Sequence, residues 1–185
     1  MIDDVLNELR EAVGKAHEAL KRNLSKVRTG RASAQMLDGV RVDYYGTATP
    51  LSQMASINVP EPRLLTIKPY DKTAMKAVEK AIREAELGFN PQTDSDLIRI
   101  PIPPLTEERR KEMVKLAKKY GEECKVAIRG ARREALEFLA GLVDGGDVSE
   151  DEVERAKKKA EEVIAEATKK ADEIVARKEK DVLEV

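Results

Sequence analysis

The sequence predicts an α+β protein, an elongated antiparallel three-helix bundle with a small β/α domain inserted after its first helix. Three observations predict it. All eight prolines (Pro50, Pro60, Pro62, Pro69, Pro91, Pro101, Pro103, Pro104) fall in the middle of the 185-residue chain, and proline breaks helix interiors by removing an N–H and crowding the preceding turn. The proline-free stretches on either side carry apolar residues at steps of three and four, the period of an amphipathic helix. Charged residues make up 37% of the chain and aromatics 3%, with no Trp, a balance that suits long solvated helices closing on an Ala/Leu/Val seam.

The first helix is carried by Val5, Leu9, Val13, Ala16, Leu20, Leu24 and Val27, one apolar stripe. Gly30 is the expected C′ residue, since a left-handed end has no Cβ penalty there. Helix two is expected to start after Thr106, a good N-cap, with Glu107 and Glu108 opposing the positive end of the dipole. Met113, Leu116, Tyr120, Cys124, Ala127, Ala131, Leu136, Phe138 and Leu142 sustain its pattern up to Gly145 and Gly146. At about 38 residues it spans roughly 57 Å, which makes the bundle a rod. Ser149 and Glu152 then form a capping box. Val153, Ala156, Ala160, Val163, Ala167, Ala171 and Ile174 repeat at nearly heptad intervals in helix three, a coiled-coil-like seam.

The centre reads differently. VRVDYY (40–45), MASINV (54–59) and LLTIKPY (64–70) are short runs of β-formers. Asp71 caps an expected helix over 73–87 closed by Gly88, and LIRIPIP (97–103) alternates as a final strand. The insert is therefore expected to be a βββαβ module. The predicted division is 1–30 with 105–185 for the bundle and 31–104 for the insert. Two chain segments side by side, around 29–31 and 103–105, form a double linker that permits hinge motion while restricting long excursions.

Charge is segregated although the formal net charge is only −1. No acidic residue lies between Glu18 and Asp38, where Lys21, Arg22, Lys26, Arg28 and Arg31 fall. None lies between Glu123 and Glu134, where Lys125, Arg129, Arg132 and Arg133 fall at i, i+4, i+7 and i+8, one face of a helix. Helix three intersperses Lys157, Lys158, Lys159, Lys169 and Lys170 with Glu161, Glu162, Glu166, Asp172 and Glu173, the look of an ordinary solvated face. The guanidinium fork pairs two phosphate oxygens at once and stacks on bases, which suits structured RNA. Antiparallel helices put Arg132 roughly 35–40 Å along the rod from Arg28, an elongated footprint that fits a large RNA surface better than a small-molecule pocket.

Catalytic constellations are missing. His17 is the only histidine and lies beside the apolar stripe, where packing outweighs catalysis. The single Cys124 excludes an internal disulfide, points to a reducing compartment, and falls on the seam of helix two as a small core residue. There is no phosphate-cradling glycine motif. No apolar run approaches the ~20 residues that cross a bilayer, and the acidic, amphipathic N-terminus does not read as a targeting peptide. Tyr44, Tyr45 and Tyr70 are candidate stacking platforms for bases or core residues of the small module. A cytoplasmic, monomeric, non-enzymatic protein without cofactor or metal is expected.

Five segments then carry a resemblance: RTGRAS (28–33), VDYYGTATPL (42–51), VEKAI…LGFNP (78–91), PPLTEERRKEMVK (103–115) and AIRGARREA (127–135). In this order, over essentially the whole chain, they resemble the signature segments of ribosome recycling factors. The chain departs from the family pattern at Gly130, Ala131 and Ala34. The resemblance implies a bundle carrying a β/α domain on a two-strand hinge, L-shaped like a tRNA. It implies binding to the post-termination ribosome on large-subunit rRNA and, with elongation factor G and GTP, separation of the subunits. Carried over by position, Arg132 is the principal rRNA contact, supported by Arg129 and Arg28 and extended by Arg31, Arg133 and Lys125. Gly30, Arg31, Pro103, Pro104 and Leu105 form the hinge. Two alternatives are weighed against it: a coiled-coil structural or chaperone-like protein, which accounts for the seams but leaves the arginine windows and the insert unexplained, and an RNA-processing enzyme, disfavoured because the sequence offers no acid/base pair or metal site.

Overall fold

Three long helices form the larger of two units in the computed structural model, which describes residues 1–184. In chain order the elements are α1 (Ile2–Ser25), β1 (Arg41–Tyr44), β2 (Thr47–Pro50), the single turn α2 (Leu51–Met54), β3 (Ala55–Glu61), β4 (Leu64–Pro69), α3 (Met75–Glu84), β5 (Gln92–Thr93), β6 (Ile98–Pro101), α4 (Glu107–Asp144) and α5 (Glu150–Leu183). Met1–Thr29 and Glu107–Glu184 make the bundle unit, and Gly30–Thr106 makes the smaller one.

In the bundle each long helix packs on the other two. The Cys124 thiol donates to the Ala16 carbonyl at 3.5 Å, and Ile2 and Val5 pack at the far end with Leu139, Val153 and Ala156. Helices α1 and α5 therefore run parallel, with α4 antiparallel to both. The core is aliphatic and small: Leu9, Val13, Leu20 and Leu24 from α1, Ala117, Cys124 and Ile128 from α4, and Ala160, Ala167 and Ala171 from α5. His17 is also buried, with Nε2 2.9 Å from the Ala167 carbonyl. His17 thus pins α1 to α5 through a polar contact, as the Cys124 thiol does between α4 and α1.

The α4–α5 turn closes both helix ends. The Asp147 amide donates to the Leu142 carbonyl and the Gly146 amide to Val143, with Gly146 at φ 72. These are the paired bonds of a Schellman motif, which needs a left-handed residue. Two residues on, Ser149 caps α5: its hydroxyl accepts from the Glu152 amide while the Glu152 carboxylate accepts from the Ser149 amide, the reciprocal capping box.

Several expectations are corrected. Helix α1 ends at Ser25 with Lys26 as its right-handed C-cap, so Gly30 is not its C′ residue. Gly30 is left-handed all the same (φ 74), and a Cβ there would stand 3.3 Å from Leu105 Cγ. The buried stripe of α4 runs through Ala117, Gly121, Cys124, Ile128, Ala135 and Leu139, leaving Ala127 and Phe138 exposed. On α5, Ile164 and Val175 are buried, with Val163 and Ile174 only partly so. A strict step of three and four drifts around a 3.6-residue helix, which displaces the stripe by one position over several turns.

The smaller unit holds two sheets and six strands where the βββαβ reading counted four strands. Strands β1 and β2 pair as a hairpin through Tyr45 (φ 50) and Gly46 (φ 81), the two left-handed positions of a type I′ turn. A separate antiparallel sheet has the order β3-β4-β6-β5. Leu65, Ile67, Ile98 and Ile100 project from it into a core with Val42, Val78 and Ile82. Asp71 caps as expected, accepting from the Thr73 amide, but a short helical turn precedes α3, which stops at Glu84, ahead of 87. Asp71 also accepts from the Tyr44 hydroxyl at 2.8 Å, so one carboxylate ties the hairpin to the start of α3. The chain enters and leaves beside one turn: the Ala32 amide donates to the Pro62 carbonyl (2.7 Å) and the Ile102 amide to Arg63 (2.8 Å).

Candidate nucleic-acid interface

Burial of Cys124, Ile128 and Ala135 sets the rotation of α4 and thereby turns the residues between them outward. Arg129 and Arg133 are exposed, and Lys125 and Arg132 are half-buried at the edges of the same face. The structure thus brings four of the candidate residues together on one helical surface. Neither Arg129 nor Arg133 has a carboxylate within ion-pair distance among the described residues.

The other two cations are covered. The Arg132 guanidinium donates through Nε to Glu161 Oε1 (2.9 Å) and Oε2 (3.1 Å) and through a terminal nitrogen to Oε1. The hydrogen bond from Arg132, more than its charge, holds the Glu161 carboxyl below its ordinary range, and Glu161 in turn raises Arg132. Lys125 Nζ lies 2.6 Å from Asp172 Oδ1 and 3.3 Å from Glu122 Oε1. Hydrogen bonds to Asp172 first and Glu122 second push its pKa up. The window that lacks acids along the chain is therefore supplied with them in space by α5. Its interspersed acids are not merely a solvated face. The signal that finds them is the turn around Asp147: Arg132 and Glu161 stand at nearly equal chain distances from it, as antiparallel neighbours must.

Arg28 is exposed just beyond α1, while Lys21 is engaged by Glu18 at 3.0 Å. The Ala16–Cys124 contact places Ala16 and Cys124 at one level of the rod. Counting ~1.5 Å per residue in both directions from that level separates Arg28 from Arg132 by roughly 30 Å, shorter than the register-free expectation. Arg31 is half-buried in the smaller unit, which also holds Gly30, Pro103, Pro104 and Leu105.

The remaining candidates sort by burial. His17 is a core residue with its ring satisfied. Burial raises the Cys124 thiol pKa. Tyr44 is half-buried and anchored, whereas Tyr45 and Tyr70 are 84% and 72% exposed. Tyr45 rests edge-on against Tyr44 with ring centroids 4.6 Å apart. Among the described residues no group of three or more His, Cys, Asp or Glu is placed to hold a metal ion, and no helix is long and apolar enough to cross a membrane.

A three-helix bundle with an arginine-bearing face, carrying a sheet-and-helix unit inserted after its first helix, defines a class of two-unit α+β proteins. The sequence profile described as ribosome recycling factor matches residues 20–183. The chain is 64% identical over 185 residues to the ribosome-recycling factor of Sorangium cellulosum (strain So ce56), covering all of both chains. It is 51% identical over 185 residues to that of Brevibacillus brevis, again covering all of both. Among solved structures, a solution structure of the ribosome recycling factor matches with a TM-score of 0.77 at 38% identity, covering 100% of this chain and 98% of that one. The T. thermophilus ribosome recycling factor, in a structure with E. coli elongation factor G bound to the E. coli post-termination complex, matches with a TM-score of 0.67 at 42% identity, all of both chains being covered. The chain belongs to the ribosome recycling factor family.

Proposed function

We propose that this chain binds the post-termination ribosome on large-subunit rRNA and, with elongation factor G and GTP, promotes subunit separation so that ribosomes can re-initiate. The observation that carries the reading is the outward face of α4, where Arg129 and Arg133 stand open between and beside two covered cations. Arg132, Arg129 and Arg28 are the main rRNA contacts, with Arg133, Arg31 and Lys125 extending the footprint. Guanidinium groups spaced along a stiff rod match the phosphates of folded RNA, and each neutralised phosphate releases counterions.

The protein acts as a cytoplasmic monomer, and the chemistry of GTP hydrolysis belongs to its partner. The smaller unit moves on the two chain crossings, where Gly30, Arg31, Pro103, Pro104 and Leu105 form the hinge. A left-handed Gly30 supports this role, because its backbone conformation is one that side-chain-bearing residues rarely adopt.

A subunit-splitting assay with elongation factor G and GTP tests the proposal. Arg132→Ala is expected to bind large subunits weakly and to leave ribosomes unsplit. Normal splitting by that variant defeats the site assignment.

A further inference from the structure

We infer that Glu161 is a specificity-determining residue, a carboxylate that occupies the Arg132 guanidinium as a stand-in for phosphate and has to be displaced before RNA is gripped; this rests on the proposed use of Arg132 as an RNA contact. The chemistry is that of the ligand it replaces. A carboxylate and a phosphate both offer two oxygens to the planar fork, and Glu161 presents both of its oxygens to Arg132 Nε with Oε1 shared by the terminal nitrogen. The pair is set across two helices, so it holds the guanidinium in one orientation and does not merely neutralise a neighbour on the same helix.

The pair is also displaceable. The two side chains are 44% and 47% exposed, and solvent and salt compete effectively with an ion pair so placed. A carboxylate that has to step aside makes the exchange close to neutral for a stray phosphate, and the released charge then repels the polyanion. Selectivity by a built-in repulsive element is a general device. Between the covered cations Lys125 and Arg132, the open Arg129 is free to attract RNA at long range. Arg132 commits only where the RNA delivers a phosphate to it. Asp172 holds Lys125 in the same manner.

Binding of a generic, non-ribosomal RNA duplex and of isolated large subunits, measured in parallel, tests this. Glu162, exposed on the same helix and with no ion pair among the described residues, is the control for bulk charge. Glu161→Gln is expected to tighten duplex binding by about two- to fivefold beyond Glu162→Gln, with a smaller gain on large subunits. The extra gain should vanish in an Arg132→Ala background. Equal effects of the two glutamine variants, or a gain that survives without Arg132, overturn the inference while Arg132→Ala still loses large-subunit binding. Unchanged large-subunit binding by Arg132→Ala instead removes the functional proposal on which the inference stands.

Discussion

A Cβ on Gly121 would stand 2.8 Å from Val175 Cγ2, so the absence of a side chain on α4 is what lets α5 lie against it there. Val175 is β-branched and cannot swing a flexible tip away. Gly121→Ala is expected to destabilise the bundle by about 1–3 kcal/mol despite alanine's better helix propensity. Gly130, with nothing within 4 Å of its Cβ position, should respond oppositely. Gly130→Ala is expected to stabilise by about 1 kcal/mol. Denaturant unfolding of both variants checks the pair.

Arg129→Ala and Arg133→Ala remove open charges without disturbing packing. Stability should stay within about 0.5 kcal/mol of the parent, while the slope of log K against log salt for large-subunit binding falls by about one in each. A salt titration of ribosome co-sedimentation measures it. Unaltered slopes in both variants would remove these residues from the footprint.

The His17 Nε2–H donates across the seam to the Ala167 carbonyl, a polar contact between α1 and α5 in an otherwise aliphatic stretch of core. His17→Ala leaves a void beside that carbonyl, with an expected loss of about 1–3 kcal/mol. Urea unfolding followed by far-UV circular dichroism reports it.

Burial keeps the Cys124 thiol protonated, and the thiolate is the reactive form. Alkylation by iodoacetamide at neutral pH is expected to be slow in the native protein and to approach the rate of a free thiol once the bundle unfolds. Rapid native-state labelling would contradict the buried seam.

Hydrogen bonds from Thr73 and then Tyr44 hold the Asp71 carboxyl below its ordinary range. A carboxyl depressed in the folded state contributes stability that is present above its unfolded pKa and lost as pH falls through the folded one. The smaller unit should therefore weaken on acidification in that window. Asp71→Asn is expected to flatten this dependence, monitored through tyrosine near-UV signals.

The long helices were legible because their periodicity agrees with the cap and glycine signals between α4 and α5, whereas Gly30 and Gly88 lie past the helix ends they were read as closing. Ser149–Glu152 is a local pattern, and so is the glycine pair before it. The hairpin partner β2 was not legible: TATP (47–50) is short and mixed in character, and only the left-handed Tyr45–Gly46 turn folds it back on β1. The two-residue β5 has too little sequence to announce itself. At the cationic face, the arginine positions could be read from spacing alone. Their Glu161 and Asp172 partners could not, since ion pairing between helices depends on the relative rotation that core packing imposes. Phe138 illustrates the same limit, an aromatic that fits the periodic stripe and yet ends up in solvent.

Within the smaller unit the first and last segments lie beside one turn, with the Ala32 and Ile102 amides bonded to the adjacent carbonyls of Pro62 and Arg63. Neighbouring termini are what make a domain portable. Residues 30–106 are thus organised like a cassette, whose excision leaves a gap that a few residues of flexible chain bridge. The same closeness makes the Pro62–Arg63 turn a natural opening point for a circular permutant, whose new ends would lie beside the old.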